Sequence, residues 1–556
     1  MKSSNSDENA TVSTLQLQIS GMTCTHCATG IERKFAEQAG ILAKKVNYPE
    51  GTGTFTFDES KISKAEIMHV INQTGNYQVV GELNTNEGSS YDYDLIVIGG
   101  GSAAFSAAIK ANELGKRILI VNGGLDIGGT CVNVGCVPSK YLIRAGESIH
   151  RASHSPFKGI FPNPPSWDFG ELIRQKKALV AEMQQRKYVD VVAGIENIQI
   201  KEGFASFVDK ERIQINSGET YTASKLIIAT GATTFVPPIP GLSTVDYLTN
   251  VSLFELEEQP EQLIVLGAGY IGLEIAQAYH RMGTKVTVLQ RSAHILSSQS
   301  PDVSDQLALH LRQEGIGLHT GIQFERISRE GKEIVVEATE KGEAVSFRGS
   351  HLLVATGTKP NTEKLNLTAI GLSTDQGGFI QVNEKQETSV ASVFAVGDCT
   401  DTPAYVYTAA LEGKVAAENA FGIESNTDYT ALPWVVFTDP QIAGVGIDET
   451  EAAAKDIPHE TTVLSLAEVP RAIAALDTRG FIKLIRNPET DQLLGARIVA
   501  PEGGELVMEL SLAIKYGITT EQLANAFHPY LTLSEGIKLA AITFGKDVKE
   551  LSCCAV

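Results

Sequence analysis

No stretch of the chain reaches the roughly 18 uninterrupted apolar residues that a membrane-spanning helix needs. The first residues, MKSSNSDENATVST, lack the apolar core of a secretory signal. Neither membrane insertion nor export is expected, and the chain reads as cytoplasmic. Positive charge is in deficit as well: 46 Lys and Arg face 66 Asp and Glu, a formal net charge of −20. Such a surface repels phosphate backbones and anionic lipid, which argues against nucleic acid and membrane partners and for a small-molecule substrate. Cysteine is sparse, with seven among 556 residues. In a reducing compartment, cysteines that lie close together in sequence are more often catalytic or metal-binding than structural.

The few cysteines present are unevenly placed. Cys24 and Cys27 stand in GMTCTHC, Cys131 and Cys136 in GGTCVNVGCVPSK, and Cys553 and Cys554 in the tail CCAV, with Cys399 single. Adjacent cysteines close a disulfide only as a strained eight-membered ring, whereas two neighbouring thiolates suit a soft metal ion. Taken by itself, the tail pair reads equally well as incidental or as a ligand.

The length has room for about four domains, and 43% hydrophobic content is ordinary for a globular protein. Residues 14–81 alternate strand and helix signals: TLQLQIS, a helical stretch from about Ala28 to Gln38, a strand from Lys44 to Tyr48, GTFTFDE, and a helix from Ser63 to Asn72. This is a βαββαβ order. The polar segment GELNTNEGSSYDYD then reads as a linker. Two strand–glycine turn–helix units follow, DLIVIGGGSAAFSAAIKANELG and QLIVLGAGYIGLEIAQAYHRMG, which imply two dinucleotide sites. From about Leu432 the chain mixes strands and helices with no such turn, as expected of an interface domain.

In the first turn, Gly99-Gly100-Gly101-Ser102-Ala103-Ala104, glycine stands where backbone must approach a pyrophosphate at a helix N-terminus. The next strand ends in Asn122, where an acid ordinarily binds the adenosine ribose; Asn can still donate to and accept from a hydroxyl. The second turn, Gly267-Ala268-Gly269-Tyr270-Ile271-Gly272, matches G-x-G-x-x-G fully. Its second strand ends in Gln290-Arg291, and Arg291 is suited to a 2′-phosphate, which favours NADPH over NADH; the bland alternative is a solvated surface charge.

The segment carrying Cys131 and Cys136, with Gly128, Gly129, Thr130 and Lys140, resembles the redox-active disulfide of the pyridine nucleotide-disulfide oxidoreductases. ATG at 229–231, ATGTKPN at 355–361 and FAVGDCT at 394–400 stand in family order, and the resemblance covers about 92–556. It implies FAD held by Gly99, Gly101, Ala103, Ala104, Gly124, Gly129, Thr130, Lys140 and Ala205, with Asp398 on the ribityl chain and backbone near Val406 facing the ring. It implies NADPH at Gly267, Gly269, Gly272 and Arg291. Electrons would pass from NADPH through FAD to the Cys131–Cys136 disulfide, with Cys136 as the thiolate against the flavin, Cys131 as the exchanging sulfur, and Glu274 as ion-pair partner of Lys140.

Disulfide reductases of this family end in a segment such as HPTxSE, whose His shuttles protons for a dithiol substrate. Here the stretch is His528-Pro529-Tyr530-Leu531-Thr532-Leu533-Ser534-Glu535, which puts Tyr530 at the base position and keeps Glu535. A phenol of reference pKa ~10 is a poor proton shuttle at neutral pH. His528, two residues away, is an alternative base. Tyr530 and the tail resemble the end of the mercuric ion reductases, in which a terminal cysteine pair collects Hg(II) for the partner subunit's inner pair. That resemblance nominates Tyr188 as a second phenol at the site and makes Cys131, Cys136, Cys553 and Cys554 metal-binding. GMTCTHC resembles the heavy-metal-associated domain, which makes Cys24 and Cys27 a carrier pair; the motif does not choose among soft metals.

The expected architecture is α/β: two Rossmann-like dinucleotide-binding domains for FAD and NADPH plus an α+β dimerisation domain, preceded by a small βαββαβ ferredoxin-like metal-binding domain. The expected boundaries are 1–82 for the metal-binding domain, 83–93 for the linker, 94–258 and 386–430 for the FAD domain, 259–385 for the NADPH domain and 431–556 for the dimerisation domain. The expected protein is a homodimer with FAD and NADPH as cofactors and Hg(II) as substrate. The alternatives are a dihydrolipoamide or glutathione-type disulfide reductase, separable by substrate assay, and a metal-sequestering carrier on a redox-inactive flavoprotein body, separable by whether mercury vapour is released.

Overall fold

The computed structural model describes residues 12–36, 38–74, 77–83, 91–547 and 550. Cys553 and Cys554 lie outside the described residues. The chain divides into two units, Met1–Asp92 and Tyr93–Val556.

The first unit runs β1 (Val12–Ser20), α1 (Thr25–Lys34), β2 (Ile41–Asn47), β3 (Thr52–Asp58), α2 (Lys64–Asn72) and β4 (Gln78–Leu83). Its antiparallel sheet has the order β2-β3-β1-β4. Strand periodicity sends Leu15, Leu17 and Ile19 of β1 and Phe55 and Phe57 of β3 to one face, where Ala28, Ile31, Ile67 and Ile71 of the helices complete the core. Ser63 and Glu66 form a reciprocal capping box that starts α2. The helix over Cys27 starts at Thr25, because Cys24 takes the cap position in extended backbone. His26 therefore lies in a helical turn rather than in a loop. β4 runs to Leu83, into the segment read as linker, because Gln18 and Gly81 pair on the edge of β1.

In the second unit, β5 (Tyr93–Ile98), α3 (Ser102–Glu113), β6 (Ile118–Asn122), α4 (Gly129–Val134), α5 (Cys136–Ser153), α6 (Phe169–Gln184), β7 (Ile198–Glu202) and β8 (Thr220–Ile228) build the first dinucleotide domain. Its parallel strands stand in the order β7-β6-β5-β8, and the returning chain adds Val393–Ala395 beside β8. The strands are almost continuously apolar because both faces are covered. A second parallel sheet, in the order Gly317–Thr320, Lys285–Gln290, Gln262–Leu266, His351–Val354, carries the helix Tyr270–Arg281 after its glycine turn. The last region is a five-stranded antiparallel sheet with helices Gly503–Lys515, Thr520–Asn525 and Glu535–Ile542. Among the described residues no helix is long and apolar enough to cross a membrane.

Candidate active site

The Cys131/Cys136 segment is folded as two helices meeting at a corner. Cys131 sits inside α4, Gly135 breaks the helix, and Cys136 is the first residue of α5. Both cysteines are thiols here and both are partly buried. A hydrogen bond between the two sulfurs has Cys131 as donor and Cys136 as acceptor. Cys136 is pulled down to about 7, chiefly by the hydrogen bond from Cys131 and further by the Lys140 ammonium, against the opposing effect of burial. The same hydrogen bond, together with burial, pushes Cys131 up. One turn along α5, Lys140 Nζ donates to Glu274 Oε2 at 2.8 Å. The other oxygen, Glu274 Oε1, accepts the Phe437 N–H at 2.9 Å. The Lys140 ammonium also stands 4.4 Å above the Phe437 ring. Phe437 was not singled out in the sequence: nothing in FTDP signals a partner so far along the chain.

Tyr188 lies on the same wall. A π-helical turn, Gln185–Val189, ends α6 and turns the phenol inward, so that its hydroxyl pairs with Ser102 Oγ at 3.0 Å and its ring meets Phe105 edge-on. Burial raises its pKa, and the Cys131 and Cys136 sulfurs are near enough to add to that. Single π turns are frequent at functional sites.

Tyr530 lies elsewhere, 52% exposed on the loop before Glu535–Ile542. Next to it Leu531 adopts φ +61, a conformation leucine rarely takes, and its N–H reaches Glu535 Oε2 at 3.3 Å. His528 is occupied differently from a displaced base: its Nε2 pairs with Glu509 Oε1 at 2.7 Å, not with Glu535.

The first dinucleotide turn fits a bound FAD. Gly99 takes φ +129 and approaches Ala229 so closely that a Cβ would stand 2.1 Å from its carbonyl oxygen. α3 has Gly101 at its cap, so no side chain caps it, and no acid in its first turn, which leaves its N–H groups for an anion. Ala103 and Ala104 are buried in that turn. Thr230 Oγ1 is buried without a hydrogen-bond partner among the described residues. Gly129 and Thr130 begin α4, Gly124 lies beyond β6, Ala205 opens the strand Ala205–Asp209, and Val406 opens the helix Val406–Ala420. The Asp398 carboxyl is raised by burial and by Glu412, whose Oε2 accepts the Gly397 N–H at 2.6 Å. The Asn122 amide N–H groups are not free to donate to a hydroxyl as expected: they donate to Leu125 O and Glu202 Oε2.

The second turn fits a nucleotide too. Gly267 takes φ +102 against the Ala355 carbonyl, while around Gly269 and Gly357 a Cβ would meet nothing within 4 Å. Gln299 Oε1 is buried without a partner among the described residues. Gly272 packs on Gly267, and Arg291 is exposed just past Lys285–Gln290.

In the first unit, Cys24 Sγ at the N-cap of α1 and Cys27 Sγ in its first turn stand 3.7 Å apart. The Thr23 N–H and hydroxyl both reach Cys27 Sγ at 3.5 Å. The Thr23 N–H above all, with the Tyr77 hydroxyl, brings Cys27 down to about 6.

Residues 93–413 match the pyridine nucleotide-disulphide oxidoreductase family, 432–541 its dimerisation domain, and 16–76 the heavy-metal-associated domain. A mercuric reductase from Staphylococcus aureus is 41% identical over 98% of this chain and 100% of its own length. One from Streptomyces lividans is 43% identical over 83% of this chain and 98% of its own. A Cu(II) complex of the HOCl-induced flavoprotein disulfide reductase RclA from Escherichia coli superposes with a TM-score of 0.73 at 27% identity, covering 82% of this chain and 99% of that one. The paired thiols, the two nucleotide turns and these likenesses agree: the chain belongs to the pyridine nucleotide-disulphide oxidoreductase family, among its mercuric reductases.

Proposed function

We propose that the protein reduces Hg(II) to Hg(0) at the expense of NADPH: Hg²⁺ + NADPH → Hg⁰ + NADP⁺ + H⁺. The observation that carries this reading is the Cys131/Cys136 pair, in which Cys136 becomes a thiolate near neutral pH beside Lys140. FAD and NADPH, when bound, supply two electrons to this site. Gly99, Gly101, Ala103, Ala104, Gly124, Thr130, Ala205, Asp398 and Val406 would hold the first; Gly267, Gly269, Gly272 and Arg291 the second.

Hg(II) is a soft ion that binds thiolate. Cys131 displaces one thiolate of the incoming mercury complex, which leaves as a free thiol with the Cys131 proton, and the Cys136 thiolate displaces the other to take the second coordination position. Lys140 favours the thiolate, and Glu274 holds Lys140 in place through the 2.8 Å ion pair. When Hg(II) takes up two electrons, both sulfurs keep their bonding pairs and Hg(0) departs. No proton has to reach the metal, so Tyr530 serves where a dithiol reductase would need a base. Tyr188 lines the site from the π turn. Cys553 and Cys554 collect Hg(II) and pass it to the partner's inner pair, and Cys24 and Cys27 capture Hg(II) on the N-terminal domain and deliver it by thiolate exchange.

A homodimer follows from this hand-over. It is supported by the dimerisation-domain match and by Met508, Leu512, Tyr516 and Phe527, large apolar side chains left exposed on that domain. A cytoplasmic location suits three reactive thiol pairs. The domain boundaries given above are part of the same proposal.

The test is NADPH oxidation with HgCl₂ in excess thiol against oxidised lipoamide and oxidised glutathione. The reading expects oxidation with mercury and little with either disulfide. The reverse order of activity returns the protein to the disulfide reductases.

A further inference from the structure

The flavin-side turn lacks the acid that ordinarily accepts hydrogen bonds from the adenosine ribose at the end of the second strand. β6 ends instead at Asn122, which is buried. Its amide is committed: Nδ2 donates to Leu125 O at 3.0 Å and to Glu202 Oε2 at 3.2 Å. Its Oδ1 is pressed against the glycine turn, 2.2 Å from where a Cβ on Gly100 would stand. Asn122 is thus packed as a bracket between the turn and β7.

Glu202 is what the bracket holds. It closes β7 directly opposite Asn122 in the parallel register, so the two side chains end at the same edge of the sheet, and it is exposed there. The segment Gly203–Phe204–Ala205 continues into the region expected to hold FAD. A carboxylate has about four lone-pair positions, so one Asn122 N–H leaves capacity for two ribose hydroxyls. A charged acceptor also makes a stronger hydrogen bond to hydroxyl than an amide oxygen does.

We propose that Glu202 is the ribose-binding acid of the FAD site, supplied from β7 in place of the missing acid on β6 and oriented by Asn122. The measurement is the affinity of the full-length holoenzyme for FAD, read as fluorescence of flavin released on dilution, with no metal present. Glu202→Gln and Glu202→Ala are expected to hold FAD about tenfold more weakly, with an unchanged absorption spectrum of the flavin that remains bound. For a flavin dinucleotide whose adenosine lacks the 2′-hydroxyl, the parent is expected to lose affinity and Glu202→Ala to lose little more, a coupling that a merely structural role for Glu202 would not give. A Glu202→Ala enzyme that holds FAD as the parent does, or an equal loss of affinity for the deoxy analogue in the parent and in Glu202→Ala, overturns the assignment. Because mercury takes no part, either result leaves the metal reading intact.

Discussion

Cys136 and Lys140 are one helical turn apart on α5, a spacing visible in the sequence, and Cys136 was named as the thiolate only through the family resemblance. With Cys136 lowered to about 7, its thiolate is present above that pH and is lost as pH falls through it. In the dithiol enzyme, iodoacetamide modification of Cys136, located by peptide mapping, is expected to rise through an inflection near 7. Lys140→Met removes a cation that favours the thiolate and is expected to move the inflection upward; an unmoved inflection would deny Lys140 its part. Phe437 shows the limit of reading residues alone. It holds Glu274 through its backbone N–H, a contact any residue but proline can make, so no side-chain signal marked it. Tyr188 was nominated only through the family, because its inward aim depends on a π turn that leaves no periodic trace in QQRKYV.

The glycine turns were the most legible elements, since strand, turn and helix are written in order in both. What the sequence did not separate is which glycine serves the fold and which serves the ligand. Gly267 faces the Ala355 carbonyl at φ +102, whereas Gly269 has open space on its Cβ side. Gly267→Ala is expected to destabilise the protein by about 1–3 kcal/mol. Gly269→Ala should leave thermal unfolding unchanged and raise KM for NADPH by at least about tenfold, by filling space the pyrophosphate needs. Equal stability losses in both variants would mean that the second turn is structural throughout. Boundaries were less legible: α1 starts at Thr25 because Cys24 is its cap, a choice made by local backbone rather than by apolar period. That the Asn122 N–H groups are already taken could not be read from the sequence, because Glu202 is adjacent only once β6 and β7 pair.

The order of domains could be followed along the chain, but the proposed hand-over between subunits would be a property of the assembly. If the Cys553/Cys554 tail serves the partner's inner pair, two inactive proteins should complement each other. Cys131→Ala supplies an intact tail, and Cys553→Ala/Cys554→Ala supplies an intact inner pair. Co-expressed in equal amounts and assayed with Hg(II) held by bulky thiols, they are expected to yield about a quarter of parental turnover, from heterodimers with one working site. No recovery above the separate variants would place the hand-over within one subunit. The central claim is the reduction itself. Purified protein given NADPH and HgCl₂ in excess thiol should release one Hg(0), detected as vapour, for each NADPH consumed, and Cys131→Ala should release none while keeping its flavin absorption. Mercury that is bound without vapour, or NADPH consumed without it, would contradict the account.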